Sequence, residues 1–568
     1  MRRRDLLRLI GAAAVSRSSR SSGAEPYPVS FVDIAHAAGL RHDIVYGGVE
    51  KANYIVESNG CGVAFYDYDN DGWLDIFLLN GSRIEGFEKG REPINRLYKN
   101  NRDGTFMDVT KNAGLAHSGW ASAVCIGDYD NDGFDDLFIT YWGKNVLYHN
   151  NGDGTFTDVT EKAGVGGDPK RWNAGCTFVD YDRDGKLDLF VSNYIDVNLK
   201  ELPLPGTGAN CTWKGISVFC GPRGLKGTQN ILYRNNGDGT FTDVSKASGI
   251  TNPSGHYSMT ASVIDYNDDG WPDIFVVCDS TPSILYRNNK NGTFTDEAVE
   301  RGVAYSDDGR EQAGMGVAMV DYNGDGSLDI VKTLFADDIP ALYQNDGRGY
   351  YTDVSMAAGL NVVSRYVQWG TGLVDFDNDS WPDLFYVTGH LYPALMNHPD
   401  YPYKGPRILY RNDGHGKFTL IADQCGPGLT AAHSSRGCAF GDFDNDGDMD
   451  VLIMNMNEPP SLLRTDVRSK NNWLKIKLAG TESNRTAIGS RVRVKAGDRL
   501  QAQQVESQSS YYSVNDLRLH YGLGKAAKAD FIEVRWPNGK TEVVRDIPAN
   551  QLVFLKEGSG IVNSVKFR

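Results

Sequence analysis

Residues 62–79 run apolar, acidic, apolar. Gly62-Val63-Ala64-Phe65-Tyr66 leads into Asp67-Tyr68-Asp69-Asn70-Asp71-Gly72-Trp73-Leu74-Asp75, and Ile76-Phe77-Leu78-Leu79 follows. The flanks are rich in β-branched and aromatic residues, which predicts two strands joined by an acidic loop. The same pattern returns six times, with loops starting at Asp128, Asp180, Asp265, Asp321, Asp375 and Asp442. After each second strand comes a phrase such as Asn95-Arg96-Leu97-Tyr98-Lys99-Asn100-Asn101-Arg102-Asp103-Gly104-Thr105-Phe106-Met107-Asp108-Val109-Thr110. Its Asn/Asp/Gly cluster is a hairpin turn between two short apolar runs, so each unit predicts four strands. Loop-to-loop spacings of 61, 52, 85, 56, 54 and 67 residues suit one four-stranded blade apiece. The fold expected is all-β, a seven-bladed β-propeller.

The loops carry the candidate chemistry. Alternate oxygen ligands on a turn converge on one hard cation, and a glycine at position 6 permits the sharp bend. The expected ligands are Asp67, Asp69, Asp71 and Asp75, then Asp128, Asp130, Asp132 and Asp136, then Asp180, Asp182, Asp184 and Asp188. Asp265, Asn267, Asp269 and Asp273 form the fourth set, and Asp321, Asn323, Asp325 and Asp329 the fifth. Asp375, Asp377, Asp379 and Asp383 form the sixth, and Asp442, Asp444, Asp446 and Asp450 the seventh. The pattern resembles the start of an EF-hand but ends at position 9 and lies between strands. Up to seven structural Ca2+ ions are expected. Asn267 and Asn323 each remove a charge and should weaken their sites, while Ser380 puts a Cβ where the other loops have glycine.

Charge changes this picture little. The chain has 568 residues and a net charge of −15, which argues against nucleic acid or an anionic lipid surface as partner. Seven divalent ions would offset fourteen of those fifteen charges. At the N-terminus, Arg3-Arg4 with Leu6-Leu7-Arg8 and a short apolar run look like a twin-arginine export signal, with residues 1–26 as signal and linker. The plainer reading is a disordered basic terminus. No segment approaches the roughly 20 apolar residues of a membrane span. The expected location is outside the cytoplasm: periplasm, cell surface or secreted.

The repeats look like the FG-GAP or VCBS repeats of calcium-bearing β-propellers. The tail is more specific. Asn484-Arg485-Thr486-Ala487-Ile488-Gly489-Ser490-Arg491-Val492, Ser510-Tyr511-Tyr512-Ser513, Leu517-Arg518-Leu519-His520-Tyr521-Gly522-Leu523-Gly524 and Ile532-Glu533-Val534-Arg535-Trp536-Pro537-Asn538-Gly539 are similar to the ASPIC/UnbV module. Together they resemble bacterial members of the cartilage acidic protein family, which implies an architecture and no catalytic residue set. The domains expected are residues 27–467 as propeller and 468–568 as a small all-β domain.

In that tail, apolar alternation predicts strands at 473–478, 492–495, 502–505, 531–535, 542–544 and 552–555. Its default role is packing or adhesion, and a solvent-facing Tyr511-Tyr512 pair could instead stack on a sugar or a partner chain. Cys211 and Cys220 flank eight residues in the longest insertion and are expected to pair, while Cys61, Cys125, Cys176 and Cys438 lie on apolar stretches as buried thiols. A Cys425–Cys438 bridge is a weaker alternative. Residues 29–40 match the phrase that ends a blade yet precede the first loop, and the seventh blade lacks an outer strand. Residues 29–34 should therefore pair antiparallel near Leu462 and Leu463, closing the ring. The leading function is binding of a protein or glycan. The alternative is a metal-dependent enzyme at the channel mouth, to be recognised by His390, His42 or another channel-side histidine converging with carboxylates away from the seven loops.

Overall fold

A computed structural model describes residues 27–566, so the N-terminal export pattern lies outside the described residues. Each of the first six repeats forms four antiparallel strands in chain order. In the first they are Val63–Tyr66, Asp75–Leu78, Arg96–Asn100 and Phe106–Asp108. The acidic loop joins the first two strands, with Tyr66 paired to Asp75. Repeats 2 and 3 are fused into one eight-stranded sheet by a single pairing of Trp172 with Trp142.

The seventh sheet explains its own missing strand. Val29–Asp33 pairs antiparallel with Ser461–Val467, with Phe31 opposite Thr465 and Asp33 opposite Leu463. The chain start thus supplies the outer strand that the last repeat lacks. The opening strands of the repeats, from Val63–Tyr66 through Trp120–Gly127, Arg171–Val179, Ser258–Ile264, Gly314–Val320, Gln368–Val374 and Ser435–Gly441, contact one another in order, and the last contacts the first. Small residues permit this approach. A Cβ on Gly316 would lie 2.5 Å from the Trp369 carbonyl oxygen of the next repeat.

The tail has two four-stranded sheets. One orders Leu519–Gly524, Asn472–Ala479, Leu552–Lys556 and Gly560–Val565, with a parallel pairing in its middle; the other orders Arg499–Gln504, Arg491–Ala496, Lys528–Arg535 and Thr541–Pro548. Leu519–Gly524 and Gly560–Val565 are strands that the apolar alternation does not reveal.

Between the tail sheets, residues 507–515 enter the centre of the ring and bond to every opening strand. Phe65 N–H donates to Val514 O at 3.1 Å, and Val124 N–H to Tyr512 O at 3.2 Å. Phe178 N–H donates to Ser507 Oγ at 3.2 Å, and Ser262 Oγ donates to Gln508 O at 3.1 Å. Val317 and Ser510 exchange backbone bonds, Thr371 N–H donates to Ser510 Oγ at 2.9 Å, and Phe440 N–H to Asn515 Oδ1 at 3.0 Å. Tyr511 and Tyr512 are 0% exposed and stack with ring centroids 4.0 Å apart. The expectation of a solvent-facing pair is therefore overturned. The opening strands would otherwise leave backbone donors facing a channel, and the tail segment supplies their acceptors.

Candidate metal loops and the tail that covers them

Each loop is folded by its first aspartate. Asp67 Oδ1 accepts Asp71 N–H at 2.9 Å and Oδ2 accepts Gly72 N–H at 3.2 Å, and Asp128, Asp265 and Asp442 repeat the scheme. Position 6 has positive φ throughout, 87° at Gly72 and 79° at Ser380, so the sixth loop does hold a Cβ residue in the left-handed region. The ninth-position carboxylate is held from two sides. Tyr68 N–H donates to Asp75 Oδ2 at 3.3 Å, and Asn100 N–H to Asp75 Oδ1 at 2.8 Å.

That asparagine recurs and went unread in the sequence. Asn100, Asn150, Asn235, Asn288, Asn345 and Asn412 each donate their amide N–H to the ninth-position aspartate of their own repeat. Their side-chain amides donate to position 2 of the preceding loop, as Asn150 Nδ2 does to Tyr68 O and Asn345 Nδ2 to Tyr266 O. Each asparagine is a buried staple between neighbouring repeats, and the Leu-Tyr-x-Asn phrase was its signal.

The carboxylates of single loops converge. Asp67, Asp69 and Asp71 place ligand atoms within 4.8 Å of one another, as do Asp128, Asp130 and Asp132, then Asp180, Asp182 and Asp188, then Asp375, Asp377 and Asp379. Asp69 Oδ1, Asp180 Oδ1, Asp182 Oδ1, Asp273 Oδ2 and Asp444 Oδ1 are buried without a hydrogen-bond donor. Burial, with neighbouring carboxylates adding to it, pushes Asp75 and Asp128 up to about 8 and Asp180, Asp321 and Asp377 to about 7. Charges in such a place need a cation or a proton. The acidic clusters can therefore hold metal ions, and the orphaned oxygens are the donor set one would use. In the fourth and fifth loops, Asn267 and Asn323 turn amide N–H groups toward Asp269 and Asp325 at 3.2 and 2.9 Å.

Cations of the tail sit on these same loops. Lys475 pairs with Asp442, both side chains fully buried, and Arg535 pairs with Asp265. Lys477 Nζ is 3.8 Å from Asp67. The sixth loop is the most enclosed, since Asp375, Asp377, Asn378, Ser380 and Asp383 are all buried, Tyr27 bonds Asp383, and His520 Nε2 is 2.7 Å from Asn378 Oδ1.

Away from the loops, Cys211 and Cys220 are joined as a disulfide, whereas Cys425 and Cys438 are separate buried thiols, as are Cys61, Cys125 and Cys176. His390 lies among Trp213, Phe335 and Tyr392, with Nδ1 accepting Leu391 N–H at 3.0 Å. His42 Nδ1 is 2.8 Å from Tyr98 Oη. Aromatic rings surround His390, and Tyr98 is the hydrogen-bond partner of His42.

Comparison with known proteins finds the same kind of repeat along the chain. An FG-GAP-like repeat profile matches residues 67–139, 128–191, 218–276, 265–331 and 375–453, and an ASPIC and UnbV profile matches 480–562. The chain belongs to the FG-GAP-like repeat family, whose repeats imply a propeller, and it ends in an ASPIC and UnbV domain. It is homologous to cartilage acidic protein 1. The Xenopus tropicalis protein is 24% identical over 513 residues, 84% of this chain and 70% of that one. The Homo sapiens protein is 24% identical over 520 residues, 86% and 70%. Among solved structures, BBS1N in complex with ARL6DN aligns with a TM-score of 0.40 at 10% identity, covering 77% of this chain and 97% of that one. That likeness is too distant to bear on function. No helix among the described residues is long and apolar enough to cross a membrane.

Proposed function

We propose that the chain is an exported, calcium-stabilised, seven-bladed propeller, residues 27–467, locked by its tail domain, residues 468–568, and that it binds a protein or glycan outside the cytoplasm. The observation that carries this reading is the position of the tail. It fills the channel with residues 507–515 and covers the acidic loops with Lys475, Lys477 and Arg535. Relief for a partner then lies on the opposite face, where the loops joining second to third strands emerge. There the disulfide hairpin borders a groove of about 650 Å³ between Lys51, Asn53, Leu204, Val218, Phe219 and Tyr392. Leu204 is 52% exposed at its edge. Surface loops held on a rigid scaffold are where binding residues concentrate. Export is supported by the twin-arginine pattern and by a disulfide, which persists in oxidising compartments.

The test is a glycan and extracellular-protein array probed with the full chain and with Leu204→Glu. The reading expects ligands whose binding the substitution abolishes while the melting temperature is kept. Binding indifferent to Leu204→Glu would place the partner elsewhere.

A further inference from the structure

One position on the third strand of each repeat, just before the stapling asparagine or before Thr465 in the seventh repeat, varies in its side chain. Six repeats use Lys99, Arg234, Arg287, Gln344, Arg411 and Arg464; the second uses His149. Lys99, Arg234 and Arg411 face carboxylates of their own loops, Arg234 at 3.0 Å from Asp182 and Arg411 at 3.5 Å from Asp377, whereas Arg287 pairs with Glu297 and Arg464 with Asp466. Gln344 can offer only an amide oxygen, and the charged Lys and Arg side chains cannot ligate a metal. An imidazole can.

The geometry in repeat 2 is that of a ligand set. His149 Nδ1 lies 3.2 Å from Asp130 Oδ2 and 3.4 Å from Asp136 Oδ1, and Nε2 lies 4.0 Å from Asp132 Oδ2. Asp130, Asp136 and His149 offer ligand atoms within 4.8 Å of one another, and Asp128, Asp130 and Asp132 do the same. Two atoms bound to one ion at about 2.0–2.3 Å can be no more than about 4.6 Å apart, and the 3.2 and 3.4 Å separations at Nδ1 suit a shared ion. Nδ1 is buried and makes no aligned hydrogen bond, although two carboxylates stand within reach. Tyr129 packs edge-on to the ring with centroids 6.4 Å apart.

We propose that the loop 128–136 and His149 form a site for a first-row transition-metal dication, distinct from the oxygen-only calcium sites of the other loops. The inference rests on the reading of the loops as metal sites and changes the ion at one of them. Calcium takes oxygen ligands, whereas three or four carboxylates with one imidazole suit ions of the Mn2+, Co2+ or Zn2+ kind. The competing arrangement is an imidazolium that merely neutralises the loop, as Lys99 does in repeat 1.

Cobalt distinguishes the two. The full chain in about 1 mM calcium is titrated with CoCl2 and followed by visible absorption, with Mn2+ pulsed EPR reporting imidazole nitrogen coupling. One Co2+ per chain is expected to persist against calcium. His149→Gln and His149→Arg, the latter restoring what Repeats 3 and 4 carry, should weaken it about tenfold or more and erase the nitrogen coupling, with calcium at the other loops unchanged. Equal Co2+ affinity in wild type and both variants, or no nitrogen coupling, with calcium still bound elsewhere, overturns this inference alone. Failure to bind any divalent ion overturns the underlying reading with it.

Discussion

Val317 N–H donates to Ser510 O at 2.7 Å, and Ser510 N–H donates back to Val317 O at 2.8 Å, so a residue of the tail completes a two-bond antiparallel pair with the fifth repeat. Ser510 and Tyr512 both have positive φ, 59° and 58°. A tyrosine rarely adopts that conformation unless its surroundings impose it. The tail is part of the ring's core.

Truncating the buried stack should therefore destabilise the whole chain. Tyr511→Ala is expected to cost about 3–5 kcal/mol, the usual range for deleting a buried aromatic ring. Urea unfolding checks it. A cost below about 1 kcal/mol, the scale of a surface change, would mean the stack is not packed as described.

Ring closure gives the second expectation. Deleting residues 27–40 removes the strand opposite Thr465 and Leu463 and exposes a sheet edge, whereas deleting 1–24 removes no described contact. The first deletion should lower the melting temperature and promote aggregation, and the second should do neither. Equal melting curves would contradict closure by the chain start.

The asparagine staples predict a cost out of proportion to their size. Asn345→Ala leaves the buried Tyr266 carbonyl without its side-chain donor and the Leu328 carbonyl with Tyr351 Oη alone. About 1–3 kcal/mol should be lost. Asn345→Asp, which keeps the shape but replaces donors with charge, should cost at least as much. Unchanged stability in both would remove the staple role.

Acid should act through His390. Burial first, then Arg436 and His398, lower its value to about 3, with only Asp337 opposing. The folded value is below the unfolded one near 6.5, so between pH 6.5 and 3 the unfolded chain holds a proton that the folded chain refuses. Its contribution is fully present above pH 6.5 and is lost as pH falls, by about 1.4 kcal/mol per unit. His390→Gln should flatten the slope of stability against pH by that amount between pH 6 and 4. Parallel slopes would show that the imidazole titrates normally.

The repeating fold was legible because each repeat writes its own strands and turn within about sixty residues. The closing strand was legible for a related reason, since residues 29–40 carry a repeat phrase with no repeat before them. The pairing of Cys211 with Cys220 followed from their place in an insertion. The plug was not legible. Residues 507–515 satisfy donors on seven strands, the nearest of them 75 positions away in sequence, and nothing local in Ser510-Tyr511-Tyr512-Ser513 signals that. The same holds for Lys475, whose place in an alternating strand gives no sign that it meets Asp442. The acidic loops were visible as candidate ligands, but the asparagine that holds the ninth-position aspartate in six repeats looked like one more turn residue.

The central claim is that divalent ions held by the acidic loops decide whether the ring stays closed. At about 1 mM calcium and a Kd of about 10 μM, one filled site adds roughly 2.7 kcal/mol, against about 5–15 for a typical domain. The direct measurement is metal content by mass spectrometry on the purified chain, paired with melting curves with and without chelator. Several calcium ions per chain, a large fall in melting temperature on chelation, and a smaller fall for Asp321→Ala than for Asp67→Ala are the predicted result. A chain free of divalent metal whose melting is unchanged by excess chelator or by added calcium would contradict the account.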